Sequence, residues 1–437
     1  MLTVSEAIKA ILTEVRRLPA VRIELSSALG RVLAEDVIAD LDSPPFDKSL
    51  MDGFAVRSSD LAGGTATLRV VAEIMAGQVA DKSVGRNEAI RIMTGAPIPE
   101  GADSVVPVEE TRLLGGPQSE VVIEGAARPG RSILKRGEST RRGQRVLAAG
   151  RQIRPQEIGA LAELGRAEVQ AFRAPRVAVL ATGDELVDAT CAPGPGQIRN
   201  SNEPMLAAQM RQIGADPVSL GIARDETADL REKISRGLTC DVLLLSGGVS
   251  AGKLDLVPAV LAELGARQVF HKVQVKPGQP IWFGVWDSIV SRPLVGWVER
   301  SEAHGAATRW ASHGSTHPTG GRDTGPCYVF GLPGNPVSSM VCCELFVRTA
   351  IRRMMGVEPA EPAPIRARLT HEHFSSGSRP TYHPAHLQMT AEGALVKLVK
   401  WVGSADLAAT VEANCMVLFP EGNRSYAAGT EMDVFLW

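Results

Sequence analysis

Residues 241–248 carry the sequence DVLLLSGG, and this stretch decides how the middle of the 437-residue chain folds. Its apolar residues are consecutive rather than alternating, which is typical of a strand buried on both faces of a parallel sheet. Two glycines, Gly247 and Gly248, follow Ser246 directly and favour a tight turn where the strand ends. We therefore expect a buried parallel strand whose carboxyl end opens into a glycine-rich turn.

The segments on either side repeat this alternation of strand and helix. In chain order the pattern predicts strand 176–181, helix 203–213, strand 216–222, helix 226–237, strand 241–246, helix 255–264, strand 268–275, strand 327–332 and a strong helix within 333–356. This order indicates an α/β domain with a parallel sheet covered on both faces. Residues 286–326 lack sustained periodicity and are expected to form an inserted surface loop.

The flanking regions have other patterns. Residues 1–18 alternate charged and apolar residues at helical spacing, which predicts an amphipathic helix rather than a signal peptide. Short β-like runs separated by Gly and Pro recur between 65 and 134, and again between 365 and 437. Residues 142–165 are predicted to be helical, with Pro155 near the first turn. The length predicts two to four domains.

Composition excludes several classes of function. Lys and Arg number 47 against 49 Asp and Glu, so the net charge of −2 argues against a nucleic-acid coat or a membrane-surface binder. Aromatic residues make up 4%, which weakens base stacking. No stretch approaches the ~18 apolar residues of a membrane span, so we expect a cytoplasmic protein. The six cysteines contain no C-x-x-C pair, and adjacent Cys342 and Cys343 are expected to pack in the core.

Three turns are the candidate binding elements. In an open parallel sheet, ligands bind at the carboxyl ends of the strands, where glycine amides and helix N-termini attract anions. The candidate ligand-binding residues in these turns are Thr182, Gly183 and Asp184 in the first, Ser246, Gly247, Gly248 and Ser250 in the second, and Pro333, Gly334, Asn335, Pro336 and Ser338 in the third. Together they predict a site for an anionic ligand.

Charged residues near these turns sharpen the prediction. Glu185, Asp225 and Asp255 follow strand ends on the same side, and carboxylates beside a phosphate call for a divalent cation, usually Mg²⁺. The alternative is that Asp184 and Glu185 only complement a helix N-terminus. Lys276 could bind an oxyanion as a point charge, or could be an ordinary surface lysine before a turn.

Two other kinds of site are not supported. His371, His373, His383 and His386 lie close in sequence, but no spaced cysteine or acidic partner completes a metal site. We expect them to be solvated surface histidines, as are the histidines of the inserted loop. No G-x-S-x-G motif supports serine hydrolysis.

The motifs as a set resemble the molybdopterin molybdenumtransferase family (MoeA, and the E domain of gephyrin). The matching stretches occur in the family's order and cover nearly the whole chain outside 286–326. They are PFD at 45–47, MDGFAV at 51–56, MTGAPIP at 93–99, GAD at 101–103, TGDEL at 182–186, NSN at 200–202, SGGVS at 246–250, KPG at 276–278 and LPGNPVS at 332–338. The resemblance implies a multidomain α/β and β fold in four parts: a discontinuous N-terminal linker domain (1–43 and 135–172), a β-rich second domain (44–134), a central molybdopterin-binding α/β domain (173–356) and a C-terminal β domain (357–437).

The resemblance implies Mg²⁺-dependent insertion of molybdate into adenylylated molybdopterin, with release of AMP. It implies a homodimer in which Asp52 and Thr94 of one subunit complete the site of the other. Glu185, Asp225 and Asp255 would organise the metal, and the molybdate candidates are Lys276, Ser338, Arg379 and Ser404. Other cofactor-biosynthesis proteins and molybdoenzymes are the further partners that it suggests.

Five positions depart from the family's pattern: Lys48, Ser139, Lys253, Gln279 and Pro384. Acids expected at 139 and 253 are absent, as are cations expected at 279 and 384. Two alternatives therefore stay open. One is a divergent paralogue that holds or delivers molybdopterin without efficient metal insertion. The other is a molybdopterin adenylyltransferase, which shares the α/β domain and would consume ATP.

Overall fold

The computed structural model describes residues 1–115, 120–249, 256–287 and 325–437. Ser250, Lys253, Asp255 and the predicted inserted loop from residue 288 to 324 lie outside these ranges. The chain divides into two compact units, which are described separately. The first comprises Met1–Arg22, Gly30–Val32 and Gln170–Trp437, and the second Ile23–Leu29 and Leu33–Val169.

The first unit contains the predicted α/β sheet. Within the described residues it has six strands in the spatial order Asp216–Ala223, Arg176–Thr182, Val242–Ser246, Cys327–Leu332, Trp282–Trp286, Arg267–His271. The first four are mutually parallel, as the alternation predicted. The strand Trp282–Trp286 runs antiparallel to Cys327–Leu332 and to Arg267–His271, so a hairpin extends the sheet at one edge. The sequence pattern did not predict this antiparallel strand.

Helices cover both faces of this sheet. They are Val4–Glu14, Asn202–Ile213, Thr227–Gly237, Val257–Glu263, Pro336–Cys342 and Arg348–Met354, with a π-helical turn at Cys343–Val347 joining the last two. Two apolar clusters lie on opposite faces of the sheet: Val177, Val179 and Leu244 belong to one, and Ala178, Leu180 and Leu243 to the other. This alternation explains why the strand at 242–246 is apolar throughout.

The amphipathic N-terminal helix is confirmed. It begins after Thr3, whose hydroxyl accepts from the Glu6 amide while the Glu6 carboxylate accepts from the Thr3 amide, a reciprocal capping box. Its apolar side buries Ala7 and Ile11 in the core of the first unit. Cys342 and Cys343 are also fully buried there, as expected.

The C-terminal residues form a closed barrel. Its strands are Ile365–Leu369, Gly393–Leu398, Thr381–Thr390, Cys415–Phe419 and Glu431–Leu436, in that spatial order. A two-stranded ribbon of His373–Ser375 and Arg424–Tyr426 accompanies it, with a 3-10 turn at Ala408–Glu412. Closure removes the free sheet edges that an open sheet of this length would expose.

The second unit is mainly β. In its described part, the largest sheet has the spatial order Ser104–Pro107, Gly53–Val56, Glu88–Ile92, Ala66–Ile74, Glu120–Ile123, Thr111–Leu114. Smaller elements are the pairs Val37–Ile38 with Arg145–Leu147 and Lys48–Ser49 with Ile133–Leu134, and 3-10 turns at Leu25–Ser27, Ser58–Leu61 and Val108–Glu110. The remaining short strands of the chain are Ala20–Glu24, Glu168–Phe172, Leu186–Val187 and Ile198–Arg199.

The prediction of helix over 142–165 was partly wrong. The helix begins only at Pro155 and ends at Glu163, while Arg145–Leu147 is a strand. Proline at the first helical position fixes that start, because it lacks an amide hydrogen and cannot continue a helix from before it. The multidomain α/β and β fold class is as expected, and the division into four domains stays a prediction. No helix within the described ranges has both the length and the apolar character needed to cross a bilayer.

Glu157 holds the start of this helix. Its carboxylate accepts from the Arg154 amide and from both the Arg154 and Arg151 guanidinium groups, and only 3% of the residue is exposed. Hydrogen bonding from Arg154, and next from Arg151, lowers the pKa of Glu157 to about 2. The stability that Glu157 contributes is therefore present above the ordinary carboxyl pKa and is lost as the pH falls towards about 2.

We predict that Glu157→Gln lowers the free energy of unfolding by about 1.5 kcal/mol at pH 7, because charge-assisted hydrogen bonds are lost. The difference from wild type should shrink as the pH falls from about 5 towards 2, as measured by urea denaturation. Glu109→Gln, at an exposed position in the same unit, is the matched control. A wild-type advantage that persists unchanged at low pH would contradict this assignment.

Candidate functional site

The three predicted turns meet at the carboxyl ends of the parallel strands of the α/β sheet. Ser246 pairs with Ala181 on one side and with Leu332 on the other, so the three strands end at the same level. The Gly247 amide donates to the Leu332 carbonyl at 3.1 Å, and the Gly183 amide donates to the Ala223 carbonyl at 3.1 Å. We call residues 182–185, 246–249 and 332–335 the turn edge.

Asn202 links two of these turns from the start of the helix Asn202–Ile213. Its side-chain Nδ2 donates to Ser246 Oγ at 2.7 Å and to the Gly334 carbonyl at 2.6 Å. Its Oδ1 is buried and has no hydrogen-bond partner among the described residues. Asn202 belongs to the NSN motif, but its role is not visible in the sequence because its contacts lie 44 and 132 residues away.

Glycine is required where the backbone of the turn edge is most crowded. Gly247 has φ +101°, and a Cβ there would lie 2.5 Å from the Thr182 carbonyl oxygen. Gly248 has φ +66°, and a Cβ there would lie 3.0 Å from Thr182 Oγ1. Thr182 is 4% exposed, and its hydroxyl has no hydrogen-bond partner in the described part of the chain. The edge therefore presents backbone and small polar atoms to whatever binds it.

Two of the predicted metal ligands, Glu185 and Asp225, lie at the rim of this edge. The Glu185 side chain folds back over Gly183. A Cβ added at Gly183 would lie 2.5 Å from Glu185 Oε2. The Asp225 amide donates to Asp184 Oδ1 at 3.1 Å, and all three carboxylate residues are exposed. The residues that the structure describes contain no cluster of three His, Cys, Asp or Glu suited to a metal, and Asp255 lies outside them. Exposed carboxylates are the ligand type that Mg²⁺ prefers, and this ion commonly takes one or two of them besides waters and phosphate oxygens.

A cavity of about 640 Å³ adjoins the turn edge. Its lining includes all four molybdate candidates, Lys276, Ser338, Arg379 and Ser404. Pro333 and Asn335 line the cavity and also belong to the third turn, so the two features are continuous. Asn335 Nδ2 donates to Ser404 Oγ at 3.0 Å, which holds the 404 segment against the start of the helix Pro336–Cys342. We call this the cation cavity.

The backbone places the two cations of the cavity. The Lys276 amide donates to the Pro380 carbonyl at 2.9 Å, and the Tyr382 amide donates to the Lys276 carbonyl at 2.7 Å. Arg379 Nη1 donates to the Val275 carbonyl at 3.1 Å and to Gln279 Oε1 at 2.7 Å. None of the described residues that line the cavity is an aspartate or glutamate. Two cationic side chains, with no carboxylate among the described lining residues, give the cavity a positive charge that favours anions.

Comparison with known proteins now decides the family. Models of the "MoeA N-terminal region (domain I and II)", the "Probable molybdopterin binding domain" and the "MoeA C-terminal region (domain IV)" match residues 2–165, 178–353 and 366–437. A molybdopterin molybdenumtransferase of Staphylococcus aureus (strain COL) is 35% identical over 99% of this chain and 95% of its own length. The chain belongs to the molybdopterin molybdenumtransferase family.

Solved structures agree with this assignment. A molybdopterin biosynthesis moeA protein from Pyrococcus horikoshii OT3 superposes with a TM-score of 0.77 at 25% identity, covering 100% of both chains. A second structure, of the moea protein from Pyrococcus horikosii, gives 0.74 at 28% identity and covers 100% of this chain and 99% of that one. The resemblance seen in the motifs and the multidomain fold are thus confirmed.

Asp52 and Thr94, the remaining predicted site residues of this family member, lie together in the second unit. Both the Thr94 amide and the Thr94 hydroxyl donate to Asp52 Oδ1 at 2.7 Å. The backbone hydrogen bond, followed by the side-chain one, lowers the pKa of Asp52. The pair is therefore preformed as an anionic, ordered unit.

The structure shows the surroundings of four of the five residues that depart from the family's pattern. Gln279 lines the cation cavity and accepts from Arg379, whereas a lysine there would repel it. Pro384 is buried in the barrel strand Thr381–Thr390 and is not among the residues lining the cavity. The Ser139 amide donates to the Ser43 carbonyl, and Lys48 pairs with Leu134. Lys253 lies outside the described residues.

The expectation that the four C-terminal histidines are solvated surface residues was wrong for two of them. His371 and His386 are exposed, but His373 and His383 line the cation cavity and are partly buried. The pairing of His373–Ser375 with Arg424–Tyr426, which sequence patterns cannot reveal, brings His373 to this wall. The histidines of the inserted loop lie outside the described residues.

We predict that Gly247→Ala destabilises the protein by about 1–3 kcal/mol, because alanine at positive φ is strained and its Cβ meets the Thr182 carbonyl. Gly334→Ala is the matched control, since its Cβ would approach no heavy atom closer than 3.8 Å. We expect the control to stay within about 0.5 kcal/mol of wild type in chemical denaturation. Equal stability of the two variants would contradict the crowding at Gly247.

Proposed function

We propose that the turn edge and the cation cavity are the two halves of the active site of this molybdopterin molybdenumtransferase. The turn edge would hold the phosphate-bearing part of adenylylated molybdopterin, and the cation cavity would hold molybdate. The observation that carries this proposal is the continuity of an anion-binding cavity without carboxylates and an amide-rich edge, through Pro333 and Asn335. The two substrates are both anions, so each half matches its ligand in charge.

Binding at the turn edge is supported by the exposure of Gly334 and Asn335 and by two buried polar atoms that lack hydrogen-bond partners among the described residues. Turns rich in glycine let a phosphate approach closely, and the helix Asn202–Ile213 begins beside them. Thr182 Oγ1 and Asn202 Oδ1 lack partners within the described ranges and could take part in hydrogen bonds to a ligand. Asn202 would keep the second and third turns in fixed positions relative to each other while the ligand binds.

Magnesium would be held at the rim by Glu185 and Asp225, with Asp255 as the third proposed ligand. When bound, the ion would offset the repulsion between these carboxylates and the pyrophosphate linkage and polarise that linkage for hydrolysis. Asp184 would help to position the loop by accepting the Asp225 amide. AMP would then leave, and molybdate would be joined to the dithiolene of the pterin.

Lys276 and Arg379 would orient molybdate from one side of the cavity, with the Ser338 and Ser404 hydroxyls as donors. Arg379 is pre-oriented by Gln279 and by the Val275 carbonyl, so little side-chain freedom is lost on binding. Ser338 is 4% exposed, which places its hydroxyl in a confined part of the wall. The site therefore supplies fixed donors to a tetrahedral dianion.

A reaction assay tests the proposal directly. Purified protein is incubated with adenylylated molybdopterin, and AMP release is measured with and without molybdate and Mg²⁺. We expect release only when both are present. AMP release that is unaffected by omitting molybdate would contradict the proposal. Consumption of ATP with free molybdopterin would favour an adenylyltransferase.

We predict that Arg379→Ala weakens molybdate binding by about tenfold or more, because charge-assisted hydrogen bonds are lost. Lys397→Ala removes a positive charge from an exposed barrel position outside the cavity and is the matched control. Binding of sodium molybdate is measured by calorimetry. A similar loss in both variants would indicate a general charge effect rather than a site.

Gln279→Lys distinguishes full activity from a binding-only paralogue. If the family's lysine is needed for efficient insertion, the variant should raise turnover without changing ligand affinity. Because Gln279 accepts from Arg379 in this chain, we predict instead a several-fold loss of molybdate affinity and no gain in turnover. Turnover is measured by single-turnover AMP release, and molybdate affinity is measured by calorimetry on the same preparation.

We further propose that the active form is a homodimer in the cytoplasm, with Asp52 and Thr94 acting across the subunit interface. Subunits carrying Asp52→Ala and Lys276→Ala, each inactive alone, would then form mixed dimers with one intact site. Co-expression should recover about one quarter of the wild-type sites. No recovery in isolated mixed dimers would place Asp52 outside the partner's site. Cofactor-biosynthesis proteins and molybdoenzymes remain the proposed partners beyond the dimer.

A further inference from the structure

Two histidines stand in the wall of the cation cavity beside its two fixed cations. His383 belongs to the barrel strand Thr381–Thr390 and His373 to the strand His373–Ser375. Their ring centroids are 5.6 Å apart in an edge-to-face arrangement, and both line the cavity with Lys276 and Arg379. Phe419 lies 4.6 Å from the His373 ring, and Trp401 lies 5.2 Å from the His383 ring.

This environment favours the neutral form of both rings when no anion is bound. Burial lowers the pKa of His373. Burial also lowers the pKa of His383, and repulsion from His373 and Lys276 adds to this, while a hydrogen bond with the Pro384 carbonyl opposes it. Since that carbonyl can only accept, His383 Nδ1 carries the hydrogen in the 2.8 Å contact and Nε2 is the nitrogen that gains or loses a proton.

Other charged groups near the pair do not reverse this tendency. Arg379 lines the same cavity, and its charge, like that of Lys276, disfavours a protonated imidazole. Glu372 and Lys397 border His373 in a separate hollow of about 270 Å³, and Tyr426 pairs with it across the ribbon. The lowered pKa of His373 has burial as its cause, with no contribution from Glu372 or Lys397.

We propose that His373 and His383 form a proton-accepting pair within the oxyanion site, so that entry of a tetrahedral dianion draws a proton from solvent onto the pair. The inference rests on the proposed oxyanion site and specifies how that site recognises its ligand. A dianion among the rings supplies the counter-charge that the empty cavity lacks. The protonated imidazole then donates a charge-assisted hydrogen bond to the oxyanion.

This arrangement accounts for the missing cation at 279, the departure from the family's pattern that lines the cavity. A third permanent positive charge beside Lys276 and Arg379 would repel them in the empty cavity, whereas imidazoles carry charge only when the ligand is present. Gln279 meanwhile can accept from Arg379 rather than compete with it. The positive charge of the cavity wall therefore increases when an anion binds.

The sign of the pH dependence follows from the lowered pKa values of the free site. Because the rings are neutral before binding and charged after it, the pKa rises on binding and affinity falls as the pH increases. Between about pH 6 and 8, molybdate affinity should decrease by up to tenfold per pH unit for each proton taken up.

Calorimetry in buffers of different ionisation enthalpy measures this proton uptake. Sodium molybdate is titrated into the full-length protein near pH 7, and we expect uptake of about one proton per bound dianion. In the double variant His373→Gln, His383→Gln the uptake should disappear and the pH dependence should flatten, with residual binding through Lys276 and Arg379. The exposed pair His371→Gln, His386→Gln is the matched control and should behave as wild type.

The outcomes separate this inference from the proposed function. Binding that depends on Arg379 but takes up no proton would overturn the role of the histidines alone. Molybdate binding that is absent, or indifferent to Arg379→Ala, would overturn the oxyanion site and this inference with it. Single variants of His373 and His383, with thermal unfolding measured on each, provide the same reading if the double variant does not fold.

Discussion

The close approach of backbone at Gly247 is the constraint on which the rest of the site depends. Its amide donates to the Leu332 carbonyl, while the place of a side chain is occupied by the Thr182 carbonyl. Three strand ends can therefore converge without a side chain between them. Asn202 ties the second and third turns together, so the edge is fixed before any ligand arrives. An edge that is already ordered would need no reorganisation to receive the proposed phosphate.

Lys276 and Arg379 supply the positive charge of the cation cavity. Backbone hydrogen bonds of Lys276 with Pro380 and Tyr382 bring the two segments together. The Arg379 guanidinium group is held by its hydrogen bonds to the Val275 carbonyl and to Gln279 Oε1. The cavity has no carboxylate among its described lining residues, and Gln279 rather than a charged group orients Arg379. Gln279 is thus a departure from the family's pattern that adjusts this electrostatic site locally.

The two halves favour different ligands for physical reasons. Backbone amides and a helix start suit a phosphate that approaches closely, whereas guanidinium and ammonium groups in a partly enclosed cavity suit a compact oxyanion. Their shared residues, Pro333 and Asn335, keep the two ligands adjacent. Adjacency of two anions is unfavourable unless positive charge lies between or around them. The cavity cations provide such charge, and the proposed magnesium ion at the rim would add to it.

The sequence by itself determined the parallel strands, their helices and the three turns. A strand buried on both faces must be apolar at consecutive positions, and a turn that brings backbones together must use glycine, so these features are written locally at 176–183 and 241–248. The N-terminal helix and the burial of Cys342 and Cys343 were equally readable. The named motifs carried the family, and with it Lys276, Ser338, Arg379 and Ser404 as residues of one site.

Only the tertiary structure decided how distant segments meet. The antiparallel strand Trp282–Trp286, the role of Asn202 and the position of His373 and His383 all depend on pairing between residues far apart in the chain. Local periodicity contains no information about such pairing, and a histidine in a short strand has the same sequence signature whether it faces water or a cavity. Burial beside Phe419 and Trp401 gives the two rings their chemistry, and those ring contacts exist only once the C-terminal segments have folded together.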